Sequence, residues 1–316
     1  MEIAKFIASR LVGLLVVLLI ASMIVYASLY LTPGGPLSFL IGSRTATPEQ
    51  VAAIVKEYRL DDPFFIRYFA WLADVMRGDL GTSLVYRESV SSLVLPRLAT
   101  TGLLVTYAMV LIVVVGVSTG LISTFRGKRA AGAVNGVNVL FLSTPAFVVG
   151  VLLIIVFAVQ LGWFPVHGAG GTVPDRLWHL TLPAIAVALA SIAYLSRITH
   201  AAASKELRSE HVETALGRGI PRRLVISRHV LRNALMPIVT AAGLTAASLI
   251  AASVVVENVF ALDGVGSLLV RAILQHDYSV VQAVVLLVVA VFTLINLFVD
   301  LAYAWIDPRV SLGGKS

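Results

Sequence analysis

Six stretches of this chain, each more than twenty residues long, carry almost no charge. They are roughly 9–31, 98–124, 133–160, 180–202, 236–257 and 280–304. Each can cross a bilayer, because 1.5 Å of rise per residue has only to cover a ~30 Å hydrocarbon core. A typical soluble domain is roughly 25% charged, whereas this chain of 316 residues is 13% charged and 58% hydrophobic. A soluble core of that size would lack a polar shell. The sequence therefore predicts an all-α, polytopic membrane protein with six transmembrane helices. The first run, Leu11 to Leu31, has no charge and follows Lys5 and Arg10. It exceeds the ~7–15 residues of a cleavable signal's apolar core, so it is expected to be a retained helix. The fourth stretch is the weakest, with Pro183 inside it and Arg197 near its end. The third contains Asn135 and Asn138, and Pro145 is expected to kink it.

Six spans put both termini on one side, which lets the charges be sorted. With that side inside, the inner segments hold Lys5, Arg10, Arg126, Lys128, Arg129, Arg197, Lys205, Arg208, Arg218, Arg222, Arg223, Arg228, Arg232, Arg309 and Lys315. Their acids are Glu2, Glu206, Glu210, Glu213 and Asp307. The inner balance is +10 and the outer balance −1, with Glu257 and Asp300 at span edges completing the net +7. Cytoplasmic loops are the ones enriched in Lys and Arg. Both termini are thus expected in the cytoplasm of a cell-membrane protein, and the basic charge points to lipid headgroups rather than nucleic acid. The chain divides into a first transmembrane helix (1–32), an extracytoplasmic helical domain (33–97) and a five-helix core (98–316) with a cytoplasmic loop at about 203–235.

Within 33–97, TPEQVAAIVKEYRL predicts a helix capped by Thr47 with Pro48 at its first position. PFFIRYFAWLADVMRGDLG predicts a second amphipathic helix, stopped at Gly78. The cytoplasmic loop holds HVETALGRGIPRRLVISRHVLRNALMP, with Arg218, Arg222, Arg223, Arg228 and Arg232 between two apolar runs. Its spacing predicts helix, break and helix. Gly217, Gly219 and Pro221 interrupt it, and Leu224, Ile226, Val230, Leu231 and Leu235 then fall along one side. On charge alone it reads either as a membrane-surface helix or as a short helix offered to a cytoplasmic partner.

The residues of that loop resemble the cytoplasmic EAA loop of ABC importer permeases, in the variant found in dipeptide, oligopeptide and nickel importers. Glu213, Thr214 and Ala215 match the E-A-A element, with Thr214 as in the peptide-type variant. Gly219 matches the glycine four residues after the alanine, and Asn233, Ala234, Leu235 and Pro237 match the downstream R-N-A-L-x-P. Further fragments resemble the family in the same order: LTPGGP (31–36), RGDLGTS, STPAFVVG with Pro145, Phe147 and Gly150, LGWFPVHG, VVENVF and DPR at Asp307–Arg309. The resemblance implies a type I importer fold working by alternating access. It implies a sister permease, two cytoplasmic ATPase subunits that hold ATP and Mg, and an extracytoplasmic solute-binding protein. It also implies that Glu213–Gly219, with Arg218, Arg222 and Arg223, docks on the ATPase, and that peptides are the cargo, with nickel or oligosaccharides as alternatives. No cofactor, metal or catalytic residue is expected on the chain itself.

Other patterns compete with that reading. GVSTG (116–120) fits G-x-S-x-G, but a nucleophile elbow needs a strand–turn–helix. Here the pattern lies inside an apolar span, where small residues ease helix packing. GGKS at the C-terminus is similar to the end of a Walker A motif, yet position 309 is Arg309 and not glycine. The six histidines have no ligand spacing, and the absence of cysteine excludes thiolate sites. Glu257 and Asp300 would be relay candidates in a proton-driven secondary transporter, but at span ends they are expected to be structural and near water.

Overall fold

The structure is a computed structural model that describes residues 2–28, 37, 41, 47–57 and 59–306. LTPGGP, Asp307–Arg309 and the GGKS tail lie outside the described residues, as does the side chain of Asp300. The helices are α1 (Glu2–Ser28), α2 (Pro48–Glu57), α3 (Phe64–Met76), α4 (Val90–Phe125), α5 (Lys128–Ser143), α6 (Ala146–Gln160), α7 (Val173–Leu207), α8 (Glu210–Gly217), α9 (Arg222–Val259), α10 (Val265–Leu274) and α11 (Tyr278–Ile306). Among the described residues the one extended pairing is the isolated bridge Thr82–Ser89.

Five of these helices are long and apolar enough to span a membrane: α1 from Ser9, α4, α7, α9 and α11 to Val299. The sixth expected span is two helices, α5 and α6, bent by 103°. A single kinked span was expected there, and the break is sharper for a local reason. Proline excludes the α conformation from the residue before it. Thr144 is accordingly extended at φ −98°, ψ 123°, and Pro145 stands as the N-cap of α6 at ψ 141°. The fourth stretch, weakest by sequence, is the 35-residue α7, with Pro183 inside it.

The chain forms two compact units. One comprises Thr101–Leu262 with residues 2–3 and 295–306. Its core gathers Leu104, Ala108 and Ile112 of α4, Leu180, Ala184, Ala188 and Leu195 of α7, and Ile238, Leu249 and Val256 of α9. Helices α4 and α7 run parallel through the GVSTG stretch. A Cβ at Gly116 would come within 3.1 Å of Leu195, and one at Gly120 within 2.5 Å of Thr199 and 2.6 Å of the Ser196 carbonyl. The motif is thus a close-packing face. At Gly150 a Cβ would meet the Phe260 ring at 3.1 Å, so α6 there lies against the end of α9. Glu257 is fully buried and accepts a hydrogen bond from Thr101 Oγ1 at 2.7 Å. The expectation of a water-exposed acid at a span end is corrected: Glu257 lies on the packed side of the last turn of α9, with Val256 and Phe260.

The other unit comprises Ala4–Thr100 and Asp263–Leu294. Thr47 and Gln50 of α2 exchange backbone–side-chain hydrogen bonds at 3.0 and 3.3 Å, a reciprocal cap. Tyr26 of α1 meets Phe64, Tyr68 and Trp71 of α3 at ring centroids 5.3–5.6 Å away. Tyr278 of α11 donates its hydroxyl to the Tyr26 carbonyl at 2.7 Å. Val90 and Val94, Leu268 and Ala272, and Val280 and Val284 form a second small core.

Candidate functional site

The segment singled out by sequence leaves α7 through Arg208 and Ser209. Ser209 takes extended backbone angles, and its carbonyl accepts from Val212 and Glu213 to begin α8. This two-turn helix buries Val212 and Ala215, three residues apart and so on one face. Its other face, Glu213, Thr214, Leu216 and Gly217, is exposed.

Gly219 ends α8. Its N–H bonds the Leu216 carbonyl at 3.0 Å, and Ile220 N–H bonds the Ala215 carbonyl at 3.2 Å. That paired closure needs a left-handed residue between the helix end and the returning chain. Gly219 supplies it at φ +78°, with open space where a Cβ would be. The requirement is therefore one of backbone angle and not of room. Ile220 then turns back onto the core, and Pro221 starts the next helix.

That helix, α9, continues without a break into the membrane span. Its buried stripe differs from the expected one. Val225, Val230, Ala234 and Ile238 are buried, while Leu224 and Leu235 are 42% and 48% exposed. Residues Ile226–Val230 form a π-helical turn, so Val225 and Val230, five apart, share a face that ordinary helical spacing would separate. Pro237 sits inside α9, where it removes the N–H that would reach the Asn233 carbonyl. Asn233 uses its side chain to tie the element back: Nδ2 donates to Glu206 Oε2 at 3.1 Å and lies 3.4 Å from His211 Nε2. Glu206 and His211 approach at 3.5 Å, so the end of α7 and the start of α8 are tied to the first third of α9. Sequence reading missed Glu206 and set His211 aside, because neither stands at a motif position.

Arg218, Arg222, Arg223, Arg228 and Arg232 are all exposed, and none is in an ion pair among the described residues. The result is a short helix held on one face and open on the other, flanked by free guanidinium groups. It can bind a protein surface or anionic headgroups. Among the described residues no group of three His, Cys, Asp or Glu side chains could hold a metal. The motif residues Pro145 and Gly150 lie elsewhere, at the start and middle of α6.

Two family models match this chain. Residues 112–312 match the binding-protein-dependent transport system inner membrane component, and residues 3–105 match the N-terminal part of such membrane components. The chain belongs to that family. It is 36% identical to a probable peptide ABC transporter permease of Sinorhizobium fredii, over 96% of this chain and 98% of the relative. It is 30% identical to the dipeptide transport system permease DppB of Alkalihalophilus pseudofirmus, over 95% and 97%. It is 35% identical to the glutathione transport system permease GsiC of Escherichia coli, over 97% and 98%. A solved chain of the methionine ABC transporter MetNI, in an inward-facing form, shares the fold at TM-score 0.52 and 21% identity, covering 67% of this chain and 93% of that one. An inner-membrane transport component agrees with the five to six apolar spans of this all-helical chain.

Proposed function

We propose that this chain is one of two membrane subunits of an ATP-driven peptide importer, and that α8 is where a separate ATPase subunit takes hold. Peptide and dipeptide permeases among relatives matched over 98% and 97% of their length support the cargo class. The single observation that carries the coupling role is the geometry of α8. One face is anchored by Val212 and Ala215, and the other presents Glu213, Thr214, Leu216 and Gly217 beside unpaired arginines. In this reading both termini and α8 face the cytoplasm, in line with the +10 inner balance. Residues 33–97 lie outside, where a solute-binding protein delivers cargo. A sister permease completes the pathway, and two ATPase subunits carry ATP and Mg. ATP closes the ATPase pair, α8 moves with it, and the spans rock to open the pathway outward. Such coupling requires α8 to contact the ATPases differently in the two states.

The test uses the assembled importer in proteoliposomes, with ATP hydrolysis and uptake measured together. Gly219→Val forces a β-branched residue into the left-handed region, and Glu213→Lys reverses a charge on the open face. Each is expected to lower peptide uptake per ATP about tenfold, a usual size for inter-site coupling, while the chain still inserts and co-purifies with the sister permease. Wild-type uptake in both variants, or uptake by the membrane subunits without any ATPase, overturns the proposal.

A further inference from the structure

In the Thr101–Leu262 unit a cavity of about 770 Å³ opens beside α4, α5 and α7. Its polar wall comprises Asn135 and Asn138 of α5, and Tyr194, Ser196, Arg197 and His200 of α7. The volume lies in the ~300–1,000 Å³ range of small-molecule sites. The wall is organised. Asn138 and Ser196 are buried, and Ser196 Oγ accepts from Asn138 Nδ2 at 3.2 Å and from Thr119 Oγ1 at 3.0 Å. His200 Nδ1 lies 3.0 Å from Thr124 Oγ1.

The charge of this wall is one-sided. Arg197 is its one full charge, no Asp or Glu lines it, and Arg197 makes no ion pair or hydrogen bond among the described residues. It is exposed and lines the cavity near the inner end of the fourth expected span. A guanidinium offers a planar fork that fits a carboxylate through two hydrogen bonds.

We propose that this cavity is a way-station for the C-terminal carboxylate of a peptide in transit, held by Arg197 with Asn135 and Tyr194 beside it. The inference rests on the peptide-importer reading. Every linear peptide with a free C-terminus has that carboxylate whatever its side chains, so one arginine can handle a varied cargo. The open cavity keeps the hold weak enough for release.

The chain has no native cysteine, so Ala201→Cys on the cavity wall gives a single reporter. In the assembled importer in phosphatidylcholine vesicles, an anionic sulfonatoethyl methanethiosulfonate should label it faster than a cationic trimethylammonioethyl one. Adding Arg197→Gln should lower that anion-to-cation ratio about tenfold, the low end of electrostatic focusing in a charged cleft, whereas Arg197→Lys should preserve it. Dialanine should slow the labelling, and dialanine amide should not. An unchanged ratio in Arg197→Gln, or equal protection by the amide, overturns the proposal. Protection by phosphatidylglycerol vesicles in place of peptide reassigns the cavity to a lipid headgroup and overturns it too. If the importer moves no peptide at all, the functional reading fails. If it moves peptide while the ratio ignores residue 197, the way-station alone fails.

Discussion

Helices α1 and α7 are both expected spans, and they are opposites. In α1 the apolar window is 17% buried, and Leu11, Val12, Leu15, Ile20 and Ile24 are each at least 45% exposed. Among its described side chains only Ser22 and Tyr26 are buried, one turn apart, and Ser22 bonds the Tyr68 hydroxyl at 2.8 Å. In α7 the corresponding window is 61% buried and rich in small and polar residues, Ala184, Ala186, Ala188, Ala193, Ser196 and Thr199. The helix with the poorer apolar signal is the one the protein surrounds. Lipid tails are as apolar as leucine, so burial in protein is driven by close approach and hydrogen bonding rather than by greasiness. High hydropathy here marks a helix little buried within its own chain, and a weaker signal marks a central one.

The hardest test of that contrast is Gly120→Leu. Its first side-chain atom would fall on Thr199 Cβ and the Ser196 carbonyl, where backbone cannot yield. Overpacking of this kind costs about 3 kcal/mol, and the expected outcome is a large fall in the thermal midpoint of the purified protein, with loss of assembly. A variant as stable as wild type would mean that α4 and α7 do not meet there. The next effect is smaller. Glu257→Ala removes an acceptor of the buried Thr101 hydroxyl, and losing a hydrogen bond to a buried carboxylate costs about 1–3 kcal/mol. Glu257→Gln keeps an oxygen acceptor and should recover most of the loss. If Gln and Ala were equally damaging, the carboxylate charge itself would matter and a proton-handling role would return.

The same contrast explains what could be read from the chain beforehand. Span number, the Thr47 and Gly78 helix limits and the break at Gly219 follow from local rules of charge, capping and backbone angle, and these need no neighbours. The 103° bend at Thr144–Pro145 was legible as a kink but not in size, because a proline signals that the residue before it leaves the α conformation without fixing the angles it then takes. The buried stripe of α9 was misplaced because a π-helical turn is a tertiary adjustment with no fixed sequence spacing. Glu206, which meets Asn233 from 27 residues away, was invisible for the same reason. In the coupling segment the motif positions were legible, while the contacts that hold them were not.

The smallest effect belongs to α1, and it sharpens the comparison most. Gly13→Leu places the same side chain as the first test in a span of the same class, yet nothing lies within 4 Å of the new Cβ. Leucine is a better helix former than glycine by roughly 1 kcal/mol, and its methyl groups meet lipid. The thermal midpoint of the isolated chain should stay level or rise slightly, against the collapse expected for Gly120→Leu. The pair thus holds the substitution constant and varies only the neighbourhood. A destabilised Gly13→Leu would show that α1 packs on protein along its N-terminal half, and the rule that greasier spans are the less buried ones would then fail for this fold.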